Sequence, residues 1–372
     1  MARLTLVPGE IVEAWRDAEL EAFYRDAYKF GTPPPTSLAI ESHAPEMMRA
    51  WVRFWWTTFH HGVVDHGLKE VVRISIARRG NCDHCANLRS ATAKAQGVTE
   101  AEIQAAINVL PGTLAKSGPA AEFAVALTTD HTKINASHFA ELRKVFSASQ
   151  VAELVAFCAW QFAGSKMISA WKTEDYREKN GRPIALHELP VRLAYDNVTN
   201  GNRMSATVPN NDVDASSNLL ALVPSDSPLA RWINFLSAQT EVQNAWCNLY
   251  IHALDRGSVD SRIKHLIRVR LSQLLDYPEW APPADRRLVE LGIGPDEFAA
   301  LRSAREGVFS RREAVALDYA EMMCYGAEIT DEVFDPLAAE YSEPDLVEIG
   351  FAVSAQQGVM RVCKALDTAK AW

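Results

Sequence analysis

Glu70 to Arg89 reads EVVRISIARRGNCDHCANLR. An apolar run ends at Gly80, and Cys-Asp-His-Cys follows after a single residue. Leu68, Val71, Val72, Ile74 and Ile76 cover more than one face of a helix, so that helix is expected to be central and buried. Gly80 suits the position just past its end, and Asn81 suits the N-cap of the next helix. Cys82 would then fall in the first turn, with Cys85 one turn on and on the same face. Unpaired amides at such a terminus favour a thiolate. Arg89, four residues after Cys85, is expected to reach that sulfur and lower its pKa further. Glu70 and His84 are the titratable neighbours in sequence able to move protons.

A thiolate with a second thiol one turn away is a redox pair, one sulfur attacking and the other resolving. Two other readings of the spacing stay open. The cysteines are small buried hydrophobes, or they are half of a zinc site. His60, His61 and His66 are the nearby ligand candidates for such a site, but no spacing ties them to the cysteines. The chain has no second CxxC, and Cys158, Cys247, Cys324 and Cys363 stand singly. No metal and no cofactor is therefore assigned.

The rest of the chain frames that stretch. With 372 residues, 48% of them hydrophobic, it suffices for two domains. A net charge of −9 without a basic stripe argues against nucleic acid. No apolar run reaches the roughly 18 residues that a membrane span needs. The opening MARLTLVPGEIVEAW lacks the apolar core of a signal peptide. Six cysteines are not a disulfide framework in a chain of this length, so a reducing cytoplasmic location is expected.

No strand pattern stands out, and an all-α fold is expected. Ile11 to Lys29 is amphipathic, and GTPPPTS (Gly31 to Ser37) is a stiff break. A helix starting at Pro45 carries Trp51, Phe54, Trp55, Trp56 and Phe59, a set that belongs in a core or a subunit interface. His60 and His61 at its end are either dipole-favoured terminal histidines or, with Trp56, part of a substrate pocket. Asp65 caps the buried helix. Glu70 within it pairs with Arg73, or is a desolvated carboxylate with a raised pKa. Thr99 caps a short helix to Val109, Leu110-Pro-Gly112 turns, and helices follow over Ala120 to Thr129, Ala136 to Phe146 and Gln150 to Trp171.

Thr173 to Asn218 is rich in Pro, Asn and Asp and reads as a linker. It separates a first domain, 1–172, from a second, 219–372. The second half repeats the first. Ala50-Trp51 matches Ala245-Trp246, an interval of 245 − 50 = 195. At that interval Val64-Asp65 matches Val259-Asp260, Lys69 matches Lys264, Arg73 matches Arg268, Gly97 matches Gly292 and Gln161 matches Gln356. The chemistry does not return. Glu70 becomes His265, Cys82 Tyr277, His84 Glu279, Cys85 Trp280 and Arg89 Ala284.

Glu70-x11-Cys82-x2-Cys85, with His84 inside the pair, resembles the core motif of the alkylhydroperoxidase D / carboxymuconolactone decarboxylase family. HAPEMMRAW (His43 to Trp51) and AQGVTEAEI (Ala95 to Ile103) are also similar to that family. The resemblance implies two tandem helical domains of this type, only the first with a dithiol. It implies a homo-oligomer, a trimer of two-domain chains, beside the dimer that is commonest in general. It further implies that Cys85 attacks, Cys82 resolves, and Glu70 is the base of a proton relay with His84. The substrate would be a small peroxide or disulfide, and an external dithiol the reductant. One position departs from the family motif: the histidine expected four residues after the second cysteine is Arg89, which cannot relay a proton. The leading expectation is a thiol-dependent oxidoreductase. The alternative is a non-redox lyase, hydrolase or isomerase of the decarboxylase type, in which Glu70 or a pocket histidine moves a proton on a small organic acid.

Overall fold

A computed structural model describes residues 3–8, 11, 18–32, 35–108, 118–173, 178–179, 182–183, 215–303, 307–326 and 328–371. Within them the chain is all-α, apart from a two-residue ladder pairing Glu178 with Pro183 and Lys179 with Arg182. The first half contains α1 (Ala18–Phe30), α2 (Pro35–Glu41), α3 (Pro45–Trp55), α4 (His66–Arg79), α5 (Asp83–Asn87), α6 (Ala91–Ala95), α7 (Glu100–Ile107), α8 (Gly118–Thr129), α9 (Ala136–Val145) and α10 (Ala148–Ala170). α3 runs on into a π-helical turn, Trp56–His60. The second half contains α11 (Ala215–Leu222), α12 (Pro228–Leu236), α13 (Thr240–Asp255), α14 (Ser261–Leu274), α15 (Arg286–Glu290), α16 (Pro295–Ser303), α17 (Arg311–Tyr325), α18 (Asp331–Glu340) and α19 (Glu343–Ala369). No helix among the described residues is long and apolar enough to cross a membrane.

Local chemistry sets most of these boundaries. Asp65 accepts from the Leu68 amide at 2.9 Å and starts α4. Thr99 and Glu102 form a reciprocal capping box at α7. Eleven of the fourteen residues of α4 are buried, which is why its apolar positions cover more than one face. The expected turn at Leu110 to Gly112 lies outside the described residues, as does most of the expected linker. The last four linker residues, Ala215 to Asn218, are helical and open α11.

α10 and α19 are the long central helices, with 18 of 23 and 20 of 27 residues buried. They pack directly on each other, and α3 packs on α13. The closest approach is at Gly358, where a Cβ would meet the Ala159 carbonyl oxygen at 2.2 Å. Only glycine lets the two backbones come together there.

The 195-residue interval carries His66–Arg79 onto Ser261–Leu274, Ala91–Ala95 onto Arg286–Glu290, and Ala136–Val145 onto Asp331–Glu340. It also carries hydrogen bonds. Lys69 Nζ meets Glu153 Oε1 at 2.9 Å, and Lys264 Nζ meets Glu348 Oε2 at 2.9 Å. Each carboxylate takes two further amides, those of Val63 and Val64 in one case and of Ser258 and Val259 in the other. Beside them Gly62 and Gly257 stand at φ +89° and +92°, where a Cβ would fall 2.4 and 2.3 Å from the carboxylate oxygens. Both ion pairs are nearly sealed from water. Such a pair stabilises only if its remaining hydrogen bonds are made, and these are.

Candidate functional site

α4 ends in a Schellman turn. The Cys82 amide reaches back to the Ala77 carbonyl at 3.0 Å, and the Asn81 amide to Arg78 at 3.4 Å. The left-handed residue is Asn81, at φ 55°, whereas Gly80 keeps φ −79°. This revises the expected cap. Cys82, not Asn81, is the N-cap of α5, and its sulfur accepts from the Cys85 amide at 3.3 Å. α5 is also short. Leu88 is already extended, so the helix adds little dipole to the cysteines.

The two sulfurs lie 2.6 Å apart. Cys82 is 1% exposed and Cys85 8%. Cys85 faces a cavity of about 60 Å³. Thr32, Ser37 and Glu41 close one side of it, and Trp51 and Trp55 of α3 another. Arg73, His84 and Leu88 surround the cysteine, and Trp160, Gln161, Gly164, Ser165, Met167 and Ile168 form the α10 wall. Phe351 of α19 backs this wall, stacked on Trp160 with ring centroids 5.9 Å apart.

Arg73 holds α5 in place. Its Nη1 donates to the Cys85 carbonyl at 2.7 Å and its Nη2 to the Leu88 carbonyl at 3.0 Å. Its other donors grip Glu70, Nε to Oε2 at 2.7 Å and Nη2 to Oε1 at 3.0 Å. Glu70 also accepts from the Ser90 amide at 2.7 Å. Of the two fates open to Glu70, the structure takes the ion pair. Glu70 does not line the cavity, and its oxygens serve to anchor Arg73 and the chain after α5.

Arg89 is not beside Cys85. Its Nε and Nη2 bind the Glu100 carboxylate at 3.0 and 2.8 Å, and its Nη1 donates to the Ala86 and Leu88 carbonyls. The reason is local. The i, i+4 geometry needs a continuing helix, and α5 stops two residues before Arg89.

The expected pocket residues are elsewhere too. His60 is wedged between Phe23 and Phe30, donates from Nε2 to the Thr32 carbonyl at 2.5 Å, and is driven by burial down to about pKa 3. It is a neutral core histidine. Trp56 and His61 both bind Asp26, at 2.6 and 2.7 Å. None of the three lines the cavity, which takes Trp51 and Trp55 from the preceding turns instead. His66 bonds the Phe59 carbonyl and Ser90 Oγ. Among the described residues, no three His, Cys, Asp or Glu side chains gather as a metal site.

Glu41, which the sequence pattern did not single out, is 1% exposed in the cavity wall. Burial, and secondarily charge on Cys85, hold its carboxyl well above the ordinary range. Burial pushes the Cys247 thiol up to about 12, and pushes those of Cys158 and Cys363 well upward, so these three thiols are inert.

An all-helical chain with a paired dithiol at a small, mostly apolar cavity is thus the class the geometry defines. Residues 45–130 match the model of the carboxymuconolactone decarboxylase family. The match runs from the first residue of α3 to just past α8. It includes Glu70, both cysteines, His84 and Arg89, and leaves out Glu41 and the α10 wall. No curated protein matches the chain.

Proposed function

We propose that the chain is a thiol-dependent oxidoreductase that reduces a small hydroperoxide. The observation that carries this is one sulfur, Cys85, in the wall of a small cavity, with a second sulfur 2.6 Å behind it. The Cys85 thiolate attacks the distal peroxide oxygen, the O–O bond breaks, and Cys85 becomes a sulfenic acid. Cys82 attacks that sulfur, a disulfide forms, and water leaves. An external dithiol restores the pair. A cavity of about 60 Å³ has room for only a few water-sized groups. That favours a peroxide over a bulky disulfide as the oxidising substrate.

We further infer that the second half is a second copy of the first that has lost the dithiol. Its part is then structural, since Phe351 and Gly358 of α19 shape and support the α10 wall.

The test is peroxide consumption with an excess of small dithiol. Cys85→Ser should abolish it, and Cys82→Ser should accumulate a sulfenic acid that a dimedone probe traps. Unchanged turnover in Cys85→Ser sinks the proposal. Activity on a small organic acid that survives full thiol alkylation would instead establish the non-redox reading.

A further inference from the structure

Thiol chemistry on a peroxide needs a proton for the departing oxygen, and of the two groups expected to move protons, His84 lines the cavity and Glu70 does not. Glu70 is bound to Arg73 and Ser90 and does not line the cavity. Arg89 faces Glu100. Glu41, at the last turn of α2, does line it. Its Oε2 is buried with no hydrogen-bond partner among the described residues. A buried carboxylate is normally paired or fully hydrogen-bonded. The titratable and charged groups sharing this cavity are Arg73, His84 and Cys85. Arg73 is the only Lys or Arg among them, and its charge is committed to Glu70. Glu41 is therefore held as the neutral acid.

A second observation comes from the 195-residue interval. The structural residues Gly62, Lys69, Arg73, Glu153 and Gln161 fall on Gly257, Lys264, Arg268, Glu348 and Gln356. Glu41 falls on Leu236, the last residue of α12, which is fully buried. Glu41 thus varies with the cysteines, not with the scaffold.

Resting on the thiol reading, we propose that Glu41 is the general acid of peroxide cleavage, donating its proton to the oxygen that leaves as Cys85 attacks. The Cys85 sulfur bonds to the distal oxygen, and the electron pair of the O–O bond goes to the other oxygen. Glu41 protonates that oxygen, releasing an alcohol or water, and becomes a carboxylate. Cys82 then expels hydroxide from the sulfenic sulfur, and the Cys82 thiol proton completes a water. The external dithiol returns two electrons and two protons. One proton stays on Cys82 and the other settles on Glu41, leaving Cys85 a thiolate again. Cys85 and Glu41 share one proton through the cycle.

The experiment uses the full chain, reduced and freed of dithiol. It is mixed with hydrogen peroxide or ethyl hydroperoxide and followed by tryptophan fluorescence, because Trp51, Trp55 and Trp160 line the cavity. Glu41→Gln should lower the second-order rate constant about 100-fold, the low end for loss of a general acid. Alkylation of Cys85 by iodoacetamide needs no acid and should change less than about threefold. Glu41→Asp, which keeps the carboxyl, should recover most of the peroxide rate. The wild-type rate should fall at alkaline pH as Glu41 ionises, and that limb should vanish in Glu41→Gln. A Glu41→Gln protein that reacts within about threefold of wild type, while Cys85→Ser does not react, overturns the Glu41 assignment and leaves the thiol reading standing. Cys85→Ser reacting like wild type overturns both. Should Glu41→Gln fail to fold, a wild-type rate that stays level at alkaline pH overturns the assignment.

Discussion

Replacing Glu41 by glutamine should change how stability depends on pH, with a sign that the burial of this carboxyl fixes. Its ordinary value is 4.5, and in the folded chain it lies well above that. Between those two values the unfolded chain has released the proton and the folded chain still holds it. The folded state binds more protons there, so stability falls as pH rises. The stabilising contribution is complete below 4.5 and is lost as pH climbs through the folded value. One proton corresponds to a slope of about 1.4 kcal/mol per pH unit at 25 °C. A glutamine side chain carries no titrating proton, so the Glu41→Gln variant should lack that slope and gain on wild type steadily as pH rises. The other titrating groups are common to both proteins and cancel in the difference. The second cause of the shift is charge on Cys85. In a Cys85→Ser background the sloping interval should therefore end at a lower pH. Urea unfolding followed by tryptophan fluorescence, in steps from about pH 5 to about pH 8, reads the difference between the two proteins. Parallel curves for wild type and Glu41→Gln would show that Glu41 is an ordinary ionised carboxylate, and the electrostatic argument would be wrong.

Two further substitutions separate structural charges from reactive ones. Lys69→Met leaves the Glu153 carboxylate buried with only the Val63 and Val64 amides, and should cost about 3–5 kcal/mol in urea unfolding; a loss below about 1 kcal/mol would mean that the charge finds another partner. Arg89→Ala removes a partly exposed pair with Glu100, so it should cost less than about 1 kcal/mol and leave the rate of Cys85 oxidation unchanged, whereas a large fall in that rate would return Arg89 to the thiol.

What the sequence reveals and what it hides divide along the range of the interactions involved. α4 was legible because its apolar residues wrap the helix, and its start because Asp65 caps within three residues. The 195-residue interval was legible for the same reason, being a pattern of local residues. Lys69 was visible in that pattern, but its partner Glu153 is 84 residues away, and no periodicity announces the pair. Arg89 would reach Cys85 only from a continuing helix, and Leu88 is already extended. Asn caps well, which points to an N-cap at Asn81, yet Asn also tolerates the left-handed conformation, and the Schellman turn uses that property. Glu41 had no local signal. It lies on a seven-residue helix, and only the packing of α3, α5 and α10 around it turns an ordinary glutamate into a buried acid.

At the 195-residue interval the second half places aromatic side chains where the first has its dithiol. Tyr277 and Trp280 stand where the interval places the two cysteines, and both are buried. The Tyr277 hydroxyl bonds Asp367, and Trp280 Nε1 donates to Gln356 Oε1 at 2.9 Å. The turn that positions them is unchanged. Asp276 takes the left-handed conformation at φ 51°, and the Tyr277 amide reaches the Ser272 carbonyl at 2.8 Å, as Cys82 reaches Ala77. Arg268 still donates to the Trp280 carbonyl at 3.0 Å, as Arg73 does to that of Cys85. Backbone and anchor thus persist where the sulfurs do not, so neither the turn nor the arginine requires the dithiol. What the first half has in addition is a cavity in front of Cys85, with Glu41 in its wall. In the second half the interval puts buried Leu236 at the position of Glu41 and two buried aromatic rings at those of the thiols. An uncompensated carboxyl would be costly in a packed apolar site, so in the first half its tolerance and the cavity are one feature.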